Sequence, residues 1–186
     1  MFYGLNQLFA HAARIRTRSR GRFHVPLVVR TPYGGGIKPL ELHSESQETI
    51  YIHQPGLKVV LPSNPYDAKG LLLASIKDPD PVIFFEPMKI YRAFKQDVPE
   101  KEYLVEIGKA NVMQKGDDLT IISYGAMART AARAVEKLQH ISIELIDLRT
   151  LSPYDLPTIL GSVKKTGRCL IVPEAPRTLG LGSEIA

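Results

Sequence analysis

Short apolar runs alternate with segments of helical character along this chain, and that alternation restricts its fold more than any other feature. Val25–Arg30, Gly56–Leu61 and Pro81–Phe85 have the length and composition of buried strands. Between the last two, Asn64-Pro65 opens a helix that runs to Ser75. Asn64 is suited to cap it, and Pro65 fits its first turn, where a missing N–H costs nothing. A second series follows, with strands at Asp118–Tyr124, Ile141–Leu148 and Arg168–Val172. A turn at Gly125–Met127 leads into an alanine-rich helix, Ala128–Leu138. Another helix starts at Ser152–Asp155 and reaches about Lys165, with Gly167 as its C-terminal cap. Strand–helix–strand repetition implies parallel sheets with right-handed crossovers, so the fold class is α/β.

Two units result. Charges, Pro99 and Gly108 punctuate residues 96–115, which read as an extended linker with local pairing around Tyr103–Ile107. The expected domains are therefore 1–95 and 116–186. A helix at Leu5–Arg16 precedes the first strand, with Leu5, Leu8, Phe9, Ala12 and Ile15 on one apolar face. A short helix is expected within Ser46–Ile52, and another begins at Ser183–Ala186.

The loop after the first strand draws attention. Gly34, Gly35 and Gly36 leave its backbone free to take positive φ and to approach other groups closely. It then delivers His43 among small polar and acidic neighbours. An imidazole gives or takes a proton near neutral pH. On residue type alone, an incidental surface histidine is the better reading of His43 than a catalytic one. His53 reads as a structural residue before the Pro55-Gly56 turn. His11, His24 and His140 have no metal-ligand spacing. Leu179–Gly182 lacks the full dinucleotide-binding glycine pattern.

Composition narrows the function. With 44% hydrophobic and 23% charged residues the chain is of globular type. No apolar run approaches the ~20 residues of a membrane-spanning helix. Met1–Gly4 lacks the start of a signal peptide. Cys169 lies in an apolar run and is expected in the core, consistent with a reducing compartment. Much of the net charge of +5 comes from Arg14, Arg16, Arg18, Arg20 and Arg22. Without aromatic interleaving they read as a solvated or subunit-facing helix end, not a nucleic-acid surface.

Several stretches occur together in a fixed order. They are Arg30–Ser46, Pro55–Pro62, Pro65–Leu72, Asp80–Pro87, Ile90–Arg92, Ile146–Thr150 and Glu174–Pro176. In combination they resemble the beta subunit of the thiamine-diphosphate-dependent E1 component of 2-oxo acid dehydrogenase complexes. The resemblance covers essentially the whole chain. It implies part of a transketolase-like pyrimidine-binding domain followed by part of a C-terminal α/β domain with a mostly parallel sheet. The family's cofactor-contacting glutamate, and the aromatic residue that packs on the pyrimidine, match nothing in 1–186. The chain therefore reads as a fragment, expected to be inactive alone.

The resemblance implies that His43 assists reductive acylation of a lipoyl group, as proton donor or by positioning it. It implies a potassium site made mainly of backbone carbonyls at Leu27, Ser75, Ile76, Asp78 and Asp80; a helix end and turn without an ion explains the same residues. The cofactor is thiamine diphosphate, shared with an alpha subunit that brings Mg2+. The implied partners are that alpha subunit, a second beta subunit in an α2β2 assembly, and the E2 lipoyl acyltransferase. Neither nucleic acid nor membrane is implied, and the compartment is the cytoplasm, or the mitochondrial matrix in a eukaryote. Phe84–Pro87 and Glu174–Pro176 look closer to the branched-chain type than to the animal pyruvate type. Two alternatives are another transketolase-like enzyme, such as a deoxyxylulose-phosphate synthase, and a non-catalytic remnant that binds a partner.

Overall fold

The computed structural model describes residues 2–186. Helical turns of mixed pitch run from Phe2 to Arg18, ending in α1, Ile15–Arg18. A π-helical turn at Gln7–His11 rotates the buried face relative to a regular helix. Leu5, Leu8, Phe9 and Ala12 pack on the core as expected, but Ala13 joins them in place of Ile15.

The first unit then runs β1 (Val28–Tyr33), α2 (Glu48–Ile52), β2 (Lys58–Val60), α3 (Pro65–Lys77) and β3 (Val82–Pro87). Asn64 caps α3 by accepting from the Asp67 N–H at 2.9 Å, and Pro65 opens the helix. The second unit comprises β4 (Asn111–Gln114), β5 (Leu119–Ser123), α4 (Gly125–Val135), β6 (Ile143–Asp147), β7 (Thr150–Ser152), α5 (Leu156–Thr166), β8 (Cys169–Val172) and α6 (Leu181–Ile185). Asp155 caps α5, and Gly167 ends it in the left-handed conformation at φ 67°.

Two four-stranded, mostly parallel sheets form the core, ordered β1-β3-β2-β7 and β4-β6-β5-β8. The antiparallel members are β7, which adds to β2, and β4, which adds to β6. Strand β7 belongs by sequence to the second unit yet completes the sheet of the first. Both sheets feed one buried cluster that includes Leu61, Ile83, Phe85, Ile122, Ile146 and Leu151. No helix among the described residues is long and apolar enough to cross a membrane.

Four local expectations need correction. Gly125–Met127 is the first turn of α4 and not a separate loop. No strand forms around Tyr103–Ile107. Tyr103, Val105 and Ile107 instead lie against α3, where Gly70 leaves room: a Cβ there would stand 2.4 Å from Val105 Cγ2. The far end of the expected linker is itself a strand, β4. Cys169 is exposed, because β8 is an edge strand.

Candidate functional site

Strand β1 ends at Tyr33, and the chain turns at once through Gly34 (φ 78°) and Gly36 (φ 100°). Both positions need glycine. A Cβ at Gly34 would stand 2.8 Å from Glu174 Oε2, and one at Gly36 would stand 2.8 Å from Lys89 Cγ. The Gly35 N–H donates to Glu174 Oε1 at 2.6 Å, and the Gly34 N–H donates to the Glu45 carbonyl at 3.1 Å. The turn is thus tied to a carboxylate of the second unit. A diphosphate finds the Gly35 N–H already engaged, so the glycines do not fit the phosphate end of thiamine diphosphate.

His43 stands exposed on this loop. Its Nδ1 lies 2.9 Å from the Glu41 carbonyl. A carbonyl only accepts, so Nδ1 carries the proton and Nε2 is left to exchange one. Local bonds shape the loop tip: Ser44 Oγ donates to the Pro39 carbonyl at 2.6 Å, and Gln47 Nε2 to the Leu42 carbonyl at 3.2 Å. Ile37, Leu40 and Leu42 of the same loop are all exposed.

Beneath the loop lies a buried cluster that periodicity did not reveal. Glu48 is wholly buried. Its Oε2 accepts from Tyr33 Oη at 2.9 Å and its Oε1 from Tyr124 Oη at 2.8 Å. Burial pushes the Glu48 carboxyl above its usual range, and the tyrosine hydrogen bonds oppose the shift. Burial, with the Glu48 charge beside them, raises both phenols well above theirs. One signal did stand in the sequence: each tyrosine follows a strand-like apolar run and immediately precedes a glycine, Tyr33-Gly34 and Tyr124-Gly125.

The residues suggested for a cation lie at the opposite end of β1 from His43, a strand length of roughly 20 Å away. Parallel pairing of Val28 with Val82 brings Leu27 near the end of α3. The Leu27 carbonyl accepts from the Val82 N–H at 2.8 Å, and the Ser75 carbonyl from the Asp78 N–H at 3.3 Å. Each keeps a second lone pair. Lys58 Nζ binds both Asp78 carboxylate oxygens at 2.7 Å, and Arg16 binds Asp80 at 2.5 Å. Ile76 is exposed. The Asp78 and Asp80 carboxylates are thus already paired with cationic side chains, which leaves backbone oxygens as the free donors of this segment. Among the described residues, no cluster of three or more His, Cys, Asp or Glu is arranged to hold a metal ion.

A second buried polar cluster joins the two units. Asp147 in β6 is fully buried, and its carboxylate accepts from Ser63 Oγ and from the Arg149 N–H. Burial pushes its carboxyl up to about 7. Its place in the Ile146–Thr150 stretch makes that stretch a seam between the units. His53 ends α2 on the surface, and His11, His24 and His140 are exposed.

Two parallel α/β units, joined through buried acids and strapped together by an exchanged strand, define a transketolase-type architecture. The comparisons agree. The pyrimidine-binding domain of transketolase matches residues 1–93, and the transketolase C-terminal domain matches residues 108–186. The chain belongs to the transketolase pyrimidine-binding family and carries that family's C-terminal domain in addition.

Among curated relatives, it is 54% identical to the pyruvate dehydrogenase E1 component subunit beta of Acholeplasma laidlawii, over 100% of this chain and 57% of that protein. It is 56% identical to the same subunit of Mycoplasma genitalium, over 99% and 57%, and 49% identical to that of Bacillus subtilis, over 97% and 56%. The chain thus spans 57% of the length of the first of these relatives. Among solved structures, a split-gene transketolase described as an inactive beta4 tetramer superposes with a TM-score of 0.69 at 22% identity, covering 94% of this chain and 58% of that one. Transketolase from Leishmania mexicana gives 0.66 at 14% identity, covering 94% and 27%. Both share the fold.

Proposed function

We propose that this chain is the beta-subunit portion of a thiamine-diphosphate-dependent pyruvate dehydrogenase E1, acting in oxidative decarboxylation and in acylation of the E2 lipoyl group. The relatives' names favour pyruvate over the branched-chain 2-oxo acid expected from Phe84–Pro87. The observation that carries the reading is the glycine-bounded loop, which presents an exposed His43 with a free Nε2 and carries exposed apolar side chains. Thiamine diphosphate supplies the carbanion chemistry when bound; the Gly35 engagement supports a diphosphate site on the alpha subunit. On this chain, His43 Nε2 first takes up a proton while the Glu41 carbonyl holds Nδ1–H, and the imidazolium then gives that Nε2 proton to the sulfur released when the lipoyl disulfide opens, or holds the lipoyl group in place. A second beta chain and the alpha subunit complete the site, in the cytoplasm of a bacterium. Leu27, Ser75, Ile76, Asp78 and Asp80 hold a potassium ion through main-chain oxygens; a K+-specific rise in Tm against Na+ is expected, and equal effects of the two ions would refute it.

The test separates two half-reactions in the assembled enzyme. His43→Ala is expected to lower lipoyl acylation by roughly 10²–10⁴-fold, the scale of a lost proton-transfer group. Pyruvate decarboxylation read with an artificial electron acceptor is expected to hold. Loss of both together, or of neither, refutes the assignment. The purified 186-residue chain alone is expected to turn over no pyruvate, and turnover without an alpha subunit would overturn the division of labour. One observation favours a non-catalytic, partner-binding reading instead: edge strand β8 and the segment after it expose Leu170 and Leu179.

A further inference from the structure

The loop bearing His43 is held very differently at its tip and at its base. At the tip, His43 is exposed, and Lys38 and Leu42 take positive φ under local hydrogen bonds only. At the base, Tyr33 before the loop and Glu48 after it are both buried and joined at 2.9 Å. Gly34 bonds back to Glu45 just inside that closure. Two groups from the second unit then grip the same base. Tyr124, at the start of α4, donates to the other Glu48 oxygen at 2.8 Å, and Glu174, after β8, accepts from Gly35 at 2.6 Å.

Only a group with two acceptors in the Glu48 position satisfies both phenols as they stand. Each hydroxyl is buried, so losing the acceptor leaves an unpaired donor rather than a hydrated one. We propose that Glu48 is a positioning residue: with Tyr33 and Tyr124 it fixes the base of the His43 loop to the second unit, so that the seam between the units sets where the imidazole stands. The catalytic consequence rests on the reading of His43 given above, whereas the clamp itself does not.

The clamp is tested on the purified chain by hydrogen–deuterium exchange. Tyr124→Phe keeps the buried ring and removes one donor to Glu48. It is expected to speed exchange in residues 34–47 by about tenfold, the scale of one buried hydrogen bond, while β5 and β6 keep their protection. Glu48→Gln keeps one acceptor and leaves the other buried tyrosine hydroxyl without one. Its loop exchange is expected to rise by a similar factor. Unchanged loop exchange in Tyr124→Phe, or an equal rise in β5 and β6, overturns the proposal. In the assembled enzyme, Tyr124→Phe is expected to lower lipoyl acylation with KM for pyruvate unchanged. A loosened loop with acylation intact would leave the clamp standing and sink the role of His43.

Discussion

Arg149 and Asp67, 82 residues apart in the chain, meet at 2.9 Å across the seam between the two units. Both side chains are largely buried. The same guanidinium donates to the carbonyls of Lys109 and Ala110, which ties down the connector as it enters β4. One planar fork therefore joins α3, the connector and the end of β6.

Removing one partner of a buried pair leaves a charge without compensation. Arg149→Ala is expected to destabilise the chain by about 3–5 kcal/mol. Arg149→Lys is expected to recover only part of that, because an ammonium cannot reach the three acceptors together. Urea denaturation checks both; a cost for Arg149→Ala under about 1 kcal/mol, the range of exposed pairs, would show that the seam does not depend on the fork.

Asp147 makes stability depend on pH. Burial raises its folded carboxyl to about 7, so the folded state holds the proton more tightly than the unfolded one. The stabilisation is full below the unfolded pKa near 4 and is lost as pH rises through the folded value. The stability of Asp147→Asn relative to the parent is therefore expected to climb between about pH 4 and pH 8, by up to about 4 kcal/mol. A difference that stays flat across that range would mean that Asp147 is ionised throughout.

Gly56 and Gly161 are expected to respond to alanine in opposite directions. At Gly56, φ is 93° and a Cβ would come within 2.0 Å of the Ala13 carbonyl oxygen. Gly56→Ala is expected to cost more than about 3 kcal/mol and to detach the N-terminal helical turns. Gly161 lies within α5 with open space around it, and Gly161→Ala is expected to gain about 1 kcal/mol from helix propensity. Thermal melts of both variants check the pair, and a matching sign would contradict the packing of residues 12–14 on the Gly56 turn.

Tyr51 is wholly buried, with its ring edge-on to Phe9 and Phe85 at 6.0 and 5.5 Å. Its hydroxyl has no hydrogen-bond partner among the described residues, and burial pushes the phenol up to about 12. Tyr51→Phe keeps both ring contacts and removes an unsatisfied donor. It is expected to stabilise the chain by about 1 kcal/mol. A loss of similar size in denaturant melts would show that the hydroxyl has a partner.

Features governed by near neighbours were legible in the sequence. Asn64-Pro65 announces the start of α3 because a cap and a ring-fixed φ act within a few residues, and Gly167 announces the end of α5 for the same reason. The glycine turn before His43 was equally plain. Glu48 was not: it sits among polar neighbours in a short helix, and one of its two partners is 76 residues away. Periodicity detects apolar faces and gives no sign of a buried acid whose cost is met by distant hydroxyls. Cys169 was misplaced for a related reason, since an apolar run does not reveal that its strand forms a sheet edge.

By itself, then, the sequence determined the α/β class, the main helices and strands, the glycine loop with its histidine, and the resemblance to the transketolase-type beta subunits. These follow from local sterics, capping and the spacing of apolar residues. Only the tertiary structure decided that β7 completes the sheet of the other unit, that Glu174 occupies the glycine turn, and that Tyr33, Glu48 and Tyr124 close the base of the His43 loop. Those contacts join residues far apart in the chain, and their energy comes from burial and hydrogen bonding that exist only once the two sheets have packed together.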